Sequence, residues 1–254
     1  MAITLNTVLW LFTFVLVASI THMAPLDPLI HDEDEVDEIL LDDMIIGMSR
    51  NAIIKPAMKW PKGIVRYKIG KEFDKLQVKA IKRAMCAIEA VSCVRFQQVE
   101  KNIKSYINII SEKEGCSPRV GYSGRVQNLN LSKNKTACFV PVIIMHELLH
   151  GLGFYHQHLT PDRDSYIKIN WENIMPSKKV FFEKLANTKS TDFGIGYDLQ
   201  SLMHYAIKGF SVNGLDTIEP LDKNATVGQH IGMSLKDIQK LNAMYNCATF
   251  EKTL

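Results

Sequence analysis

Residues 141–158 read Pro-Val-Ile-Ile-Met-His-Glu-Leu-Leu-His-Gly-Leu-Gly-Phe-Tyr-His-Gln-His, and this run limits the possible folds more than any other. His146 and His150 are four residues apart, so on a helix both imidazoles lie on one face, one turn apart. Val142, Ile143, Ile144, Met145, Leu148 and Leu149 make that helix almost wholly apolar, which predicts burial. Glu147 is one step from the first histidine, beside a bound metal rather than on it, as suits a general base acting on water. If the helix ran on, His156 would lie about 9 Å further along the axis and roughly 120° off the ligand face. Gly153 can adopt the positive-φ conformation that ends a helix, so the chain can turn and bring His156 back. Three neutral imidazoles leave a tetrahedral zinc one position open for water, the arrangement of a catalytic rather than a structural site. The competing reading is a core helix with two satisfied histidines. Bare His-Glu-x-x-His arises by chance in on the order of one chain in a hundred of this length. The added Gly153 and His156 favour the metal.

The N-terminus points to a compartment. Residues 8–18, from Val8 to Ala18, form an apolar run with the length of a signal-peptide core, too short to span a bilayer comfortably. An uncleaved signal anchor is the alternative. Residues 1–24 are assigned to the signal peptide, and the protein is expected to be secreted and extracellular. Five cysteines in such a chain suggest two disulfides and one odd thiol, with fifteen arrangements open. Sequons at Asn130, Asn134 and Asn224 fit secretory passage, or are unused surface loops.

Residues 25–49 carry nine acids and no Lys or Arg, so with Arg50 the first fifty residues hold −8 of an overall +3 and the rest holds +11. An acidic stretch before a basic body reads as a pro-segment, residues 25–50, over a positive face; a solvated acidic linker is the alternative. Arg50-Asn51 offers a cut to a trypsin-like activating protease, leaving 51–254 as the mature domain.

Within that domain Ile64 to Ile69 reads as a strand. Asp74 caps a helix to Ser92 with Gln77 completing a capping box; Leu76, Ala80, Ile81, Ala84, Met85, Ile88 and Val91 mark its buried face. Strands are expected from Cys93 and over Tyr106–Ile110, loop and edge-strand material over 115–138, and a short helix within 173–185. Asp162-Arg163-Asp164 is either a solvated turn or a buried ion-pair knot. Ser234, with Asp237, caps a last amphipathic helix lined by Leu235, Ile238, Leu241 and Tyr245.

The full zinc run matches the long signature of the metzincin peptidases, and the chain resembles one of their families, the astacins, over about residues 50–247. The resemblance rests on His146-Glu147-x-x-His150-x-x-Gly153-Phe154-x-His156, Asp162-Arg163-Asp164 and Tyr197-Asp198-x-x-Ser201-Leu202-Met203-His204-Tyr205. Thr217-Ile218-x-Pro220, Gly228-Gln229 and Met244-Tyr245-Asn246-Cys247 add to it. It implies an α+β zincin-like domain of two subdomains flanking a zinc cleft: an upper twisted sheet with long helices, and a lower loop-rich part with the C-terminal helix. It implies one Zn(2+) held by His146, His150 and His156, with Tyr205 as a movable fifth ligand. Met203 is then in a turn beneath the ligands. It further implies disulfides Cys93–Cys247 and Cys116–Cys138, leaving Cys86 as a buried thiol. The reaction implied is hydrolysis of protein or peptide substrates, with Glu147 and Tyr205 catalytic.

Three positions depart from the pattern. Gly47 is followed by Met48 rather than the aspartate that silences many zymogens. Gln157 replaces a glutamate that contacts the new N-terminus in relatives. His230 stands where a basic residue is usual. The first two keep open an inert, astacin-like secreted binding protein. No nucleic-acid motif accompanies the positive charge, so sequence-specific nucleic-acid binding is not expected; neither is stable membrane insertion. No association module is visible, so a monomer is expected, as is no further domain after Cys247.

Overall fold

The computed structural model describes residues 58–101, 103–185, 191–229 and 231–248. The signal peptide, acidic pro-segment, Arg50-Asn51 bond and His230 lie outside the described residues. Strands β1 (Ile64–Ile69), β2 (Arg95–Gln98), β3 (Ile107–Ile110), β4 (Cys116–Pro118) and β5 (Gln127–Leu131) form one sheet in the order β2-β1-β3-β5-β4. All neighbours are parallel except β4, which runs antiparallel to β5 at the edge. In register, Tyr67 faces Ile107, Ile109 faces Leu129 and Cys116 faces Leu131.

Helix α1 (Lys75–Ala90) begins at the expected box: Leu76 and Gln77 donate their backbone N–H groups to Asp74 Oδ1 at 2.7 and 2.8 Å, and Asp74 N donates to Gln77 Oε1 at 3.0 Å. Its buried stripe is Ile81, Ala84, Met85 and Ile88. Two expectations fail here. Leu76 is 77% exposed, because the first turn stands in solvent and burial begins only with Ile81. Cys86 is exposed as well. It shares the solvent stripe with Lys82, Arg83 and Ala90, three or four residues away in either direction.

Helix α2 (Pro141–Leu152) starts with Pro141 in its first turn and is buried from Val142 to Leu152, as an all-round apolar helix must be. It packs on α1 and the sheet within one core that includes Ile107, Ile109, Leu129 and Leu131. Gly151 permits the approach: a Cβ there would lie 3.2 Å from Ile107 Cδ1. The last carbonyls of a helix lack intrahelical donors. Here Gly121 N donates to His150 O at 2.9 Å, Trp60 Nε1 to Gly151 O at 2.9 Å and Tyr245 OH to Leu152 O at 2.8 Å.

β5, within the stretch expected to be loop and edge-strand material, is an interior strand between β3 and β4 despite its polar composition, Gln-Asn-Leu-Asn-Leu. Its polar side chains hold loops: Gln127 Nε2 donates to Gly121 O at 2.7 Å, and Asn130 Nδ2 donates to Gly115 O at 2.7 Å and Lys113 O at 3.0 Å. Asn130 is 3% exposed and its oxygen also accepts from Glu112 N and Lys113 N, so a glycan on its amide has no exit. The expected glycosylation of Asn130 is therefore corrected. Asn134 and Asn224 are exposed.

Beyond α2 the chain is mostly turns and short 3-10 segments, including Pro176–Phe182 where a short helix was expected. β6 (Ile167–Ile169) pairs antiparallel with β7 (Ile218–Pro220). A second core gathers Ile167, Ile169, Ile174, Phe182, Tyr197, Tyr205, Phe210 and Ile218. Helix α3 (Leu235–Tyr245) opens with the Ser234–Asp237 capping box and ends on Asn246 at φ 51°. It buries Leu241 and Met244 in the first core, while Leu235 is exposed. Two disulfides, Cys93–Cys247 and Cys116–Cys138, tie α3 to the strand region and β4 to the segment before α2.

Candidate metal centre

α2 presents His146 and His150 together. Gly153, at φ 120°, ends the helix and donates its N–H to Leu149 O and His150 O. The chain doubles back, and His156 Nε2 comes to 3.2 Å from both His146 Nε2 and His150 Nε2. Ligand atoms of all three lie within 4.8 Å of one another. Nitrogens bound tetrahedrally to one zinc at about 2.0–2.1 Å stand roughly 3.3 Å apart, so the spacing fits that ion.

The outer hydrogen bonds orient the ligands. His146 Nδ1 donates to Leu202 O at 2.9 Å and His150 Nδ1 donates to Phe154 O at 2.7 Å. With Nδ1 carrying the proton, both Nε2 lone pairs face the centre, as metal-ligating histidines require. His156 is wholly buried, and burial, followed by the neighbouring histidines, holds it well below the ordinary imidazole range, in the neutral ligating form. The three histidines form a zinc site.

The remaining expected residues gather around it. Glu147 is buried on α2. The Tyr205 ring centre lies 4.4 Å from that of His156 and 4.0 Å from that of His158, with Phe182 and Phe210 at its edges. Met203 is buried; its N donates to Ser201 Oγ at 3.0 Å and its O accepts Gln157 N at 2.7 Å. That turn is itself anchored to α3. Asp237 accepts Ser201 Oγ at 2.6 Å and Leu202 N at 2.8 Å, so the carbonyl that orients His146 hangs from the α3 capping box. The turn Asp162–Asp164 forms an ion-pair network around Arg163, which is 3% exposed, donates to His158 O and Phe182 O and pairs with Asp164 at 3.1 Å; Asp164 itself is exposed and also meets Lys184.

Sequence reasoning gave no role to several residues here. Leu202 and Phe154 act through backbone carbonyls, which carry no side-chain signature. His158 and His204 are buried, and His204 receives the Tyr197 hydroxyl on Nε2 at 2.7 Å while its Nδ1 donates to Tyr205 O. Burial pulls His204 down to about 4, which keeps Nε2 an acceptor. Lys240, also buried, donates to Gln157 Oε1 at 2.7 Å. The buried stripe of α3, residues 237, 240, 241 and 244, contains two charges, and that was the available signal.

Gly228 has a structural reason. A Cβ there would lie 2.5 Å from Ala206 Cα, one residue past Tyr205, and its φ is +75°. Gln229 Nε2 donates to Gln200 O at 2.8 Å, closing the same wall. Gly228→Ala is expected to cost about 2–4 kcal/mol from clash and positive-φ strain together. Denaturant unfolding of the two proteins checks it.

A mixed sheet before α2, a loop-rich half after it and a tri-histidine centre at the end of that buried helix define a zinc protein of the α+β metzincin class. Residues 52–246 match the family model described as Astacin, a peptidase family. The chain is 40% identical to seminal metalloprotease 1 of Drosophila melanogaster, over 78% of this chain and 82% of that one. It is 36% identical to zinc metalloproteinase nas-13 of Caenorhabditis elegans, over 82% of this chain and 46% of that one. The solved structure of high choriolytic enzyme 1, a hatching enzyme zinc-protease from Oryzias latipes, superposes with a TM-score of 0.69 at 37% identity, covering 75% of this chain and 94% of that one. This chain belongs to the astacin family. It spans less than two thirds of the length of several nematode relatives that it matches.

Proposed function

We infer that the chain is a secreted zinc endopeptidase that hydrolyses peptide bonds in proteins and is made as a zymogen. The observation that carries this reading is the convergence of three histidine Nε2 atoms, two of them locked by carbonyls, on one point at a helix that also buries Glu147. When bound, zinc supplies Lewis acidity toward water and the substrate carbonyl. The carboxylate of Glu147 takes a proton from the attacking water and returns it to the leaving amine nitrogen. The phenol of Tyr205, set against His156, donates to the oxygen that gains charge as the carbonyl is attacked. Burial of the ligand set keeps bulk water from competing at these groups. Among the described residues no helix is long and apolar enough to cross a membrane.

Latency rests on the acidic stretch before Arg50, and activation on cleavage at Arg50-Asn51 by a trypsin-like protease. N-terminal sequencing of the active form should read Asn51 or a residue close to it; a start well inside the body contradicts this assignment. The function itself is tested on an unfolded protein substrate with the trypsin-treated chain, with and without a chelator. Cleavage that the chelator abolishes is expected. Its absence from a correctly disulfide-bonded, zinc-loaded protein favours an inert binding protein instead. No residue of the described centre supports that second reading.

A further inference from the structure

Lysine is seldom fully buried without a compelling partner. Lys240 is 6% exposed, points inward from α3, and donates its ammonium to a neutral amide, Gln157 Oε1, at 2.7 Å. Burial pulls its pKa below the ordinary lysine range, opposed by the nearby carboxylates of Asp198 and Asp237. Asp237 is committed to Ser201 and Leu202, and Asp198 to Ser234 and Gln200. Fold stability does not require the pair as such: replacing both buried partners by apolar side chains of similar volume is often neutral or stabilising.

Its partner's position gives the ammonium a task. Gln157 directly follows the ligand His156 and is itself buried. Its N–H donates to Met203 O at 2.7 Å, and the preceding residue, Leu202, offers its own carbonyl to His146 Nδ1. Gln157 is thus gripped by its backbone from the turn that orients His146 and by its side chain from α3. Without the second grip the side chain's buried acceptor is left unsatisfied, and the segment carrying His156 loses its tie to α3.

We propose that Lys240 is a positioning residue for the metal centre, its ammonium clamping Gln157 so that His156 is held in ligating geometry. The proposal rests on the zinc reading above. Lys240 touches neither zinc nor substrate directly, and the clamp concerns this chain's own residues at 157 and 240. Outer partners of metal ligands change metal affinity by about 10–100-fold when removed.

The test uses the whole chain, zinc-stripped, as wild type, Lys240→Met, Gln157→Leu and the double variant. Zinc Kd is read by competition with a chelator, ligand geometry by the visible absorption of the cobalt(II)-substituted protein, and fold stability by the Tm of the metal-free protein. Each single variant is expected to weaken zinc at least about tenfold and to alter the cobalt spectrum. The metal-free Tm should fall by several degrees in each single, which leaves one buried partner unsatisfied, and recover in the double variant, which removes both, while zinc binding stays weak. Because both substitutions break one hydrogen bond, the double variant should be no worse than the poorer single. Unchanged Kd and cobalt spectra in the singles overturn the proposal, as do fully additive losses. Should Lys240→Met fail to fold, Gln157→Leu carries the same test from the other side. If wild type itself binds no zinc, the metal-centre reading fails and takes this proposal with it; if it binds and the variants match it, only the proposal fails.

Discussion

Glu147→Ala is expected to lower kcat by about 10²–10⁴-fold while the protein still takes up one zinc, since general acid–base catalysis contributes roughly that factor. The metal's donors are three imidazole nitrogens, and the carbonyls that aim two of them belong to Leu202 and Phe154. Glu147 supplies none of these groups, so its removal leaves the ligand set in place. The truncated side chain lies on a wholly buried helix, so some loss of stability accompanies the change. Glu147→Gln separates the two effects: it keeps the volume and loses the basicity, and should be about as inactive. The check is kcat on a peptide substrate alongside metal content of the purified variants. A variant with near-normal kcat places the base elsewhere; one that has lost its zinc makes Glu147 a support of the centre instead.

Replacing both Cys93 and Cys247 by serine is expected to destabilise the domain by about 5 kcal/mol. The bridge closes 154 residues, and the chain-entropy account gives roughly that value for a loop of such length. It fastens the C-terminal end of α3 to the start of the strand region, and α3 in turn carries Asp237 and Lys240, which steady the Ser201–Met203 turn and the His156 segment. For a domain of this size the expected drop in Tm is on the order of 10–20 °C. Removing Cys116–Cys138, which spans 22 residues, should cost less, about 3 kcal/mol. Thermal unfolding of the two double variants under non-reducing conditions checks both size and order. Equal losses contradict the loop-length account.

What the sequence made legible was local. The ligands lie within eleven residues of chain, from His146 to His156, so helical spacing and one glycine sufficed to assemble them. Both capping boxes, Asp74 with Gln77 and Ser234 with Asp237, formed as their spacing required. What stayed hidden was long-range or borne by the backbone. Leu202 O orients His146 across 56 residues, and Lys240 reaches Gln157 across 83. β5 was hard to see because Gln127 and Asn130 are buried polar residues serving neighbouring loops, a pattern that imitates a surface segment. The same burial makes Asn130 a poor glycan acceptor despite its sequon. Leu76 shows the reverse error: helical periodicity finds a stripe, but where the stripe meets the core depends on the neighbouring sheet and helix; Cys86, expected buried as the odd thiol, lies off that stripe.

Gln157 joins these scales. It stands where a glutamate contacts the new N-terminus in relatives. An ammonium does rest on its oxygen, and it belongs to Lys240 of the same chain.

The most direct test of the account is a zinc titration of the stripped, activated enzyme, following hydrolysis of an unfolded protein against equivalents of metal added. One zinc per chain held by three imidazoles predicts no activity without metal, a linear rise and a break at one equivalent. Hydrolysis that persists in fully stripped protein, or protein that binds its zinc and still cleaves nothing, contradicts it.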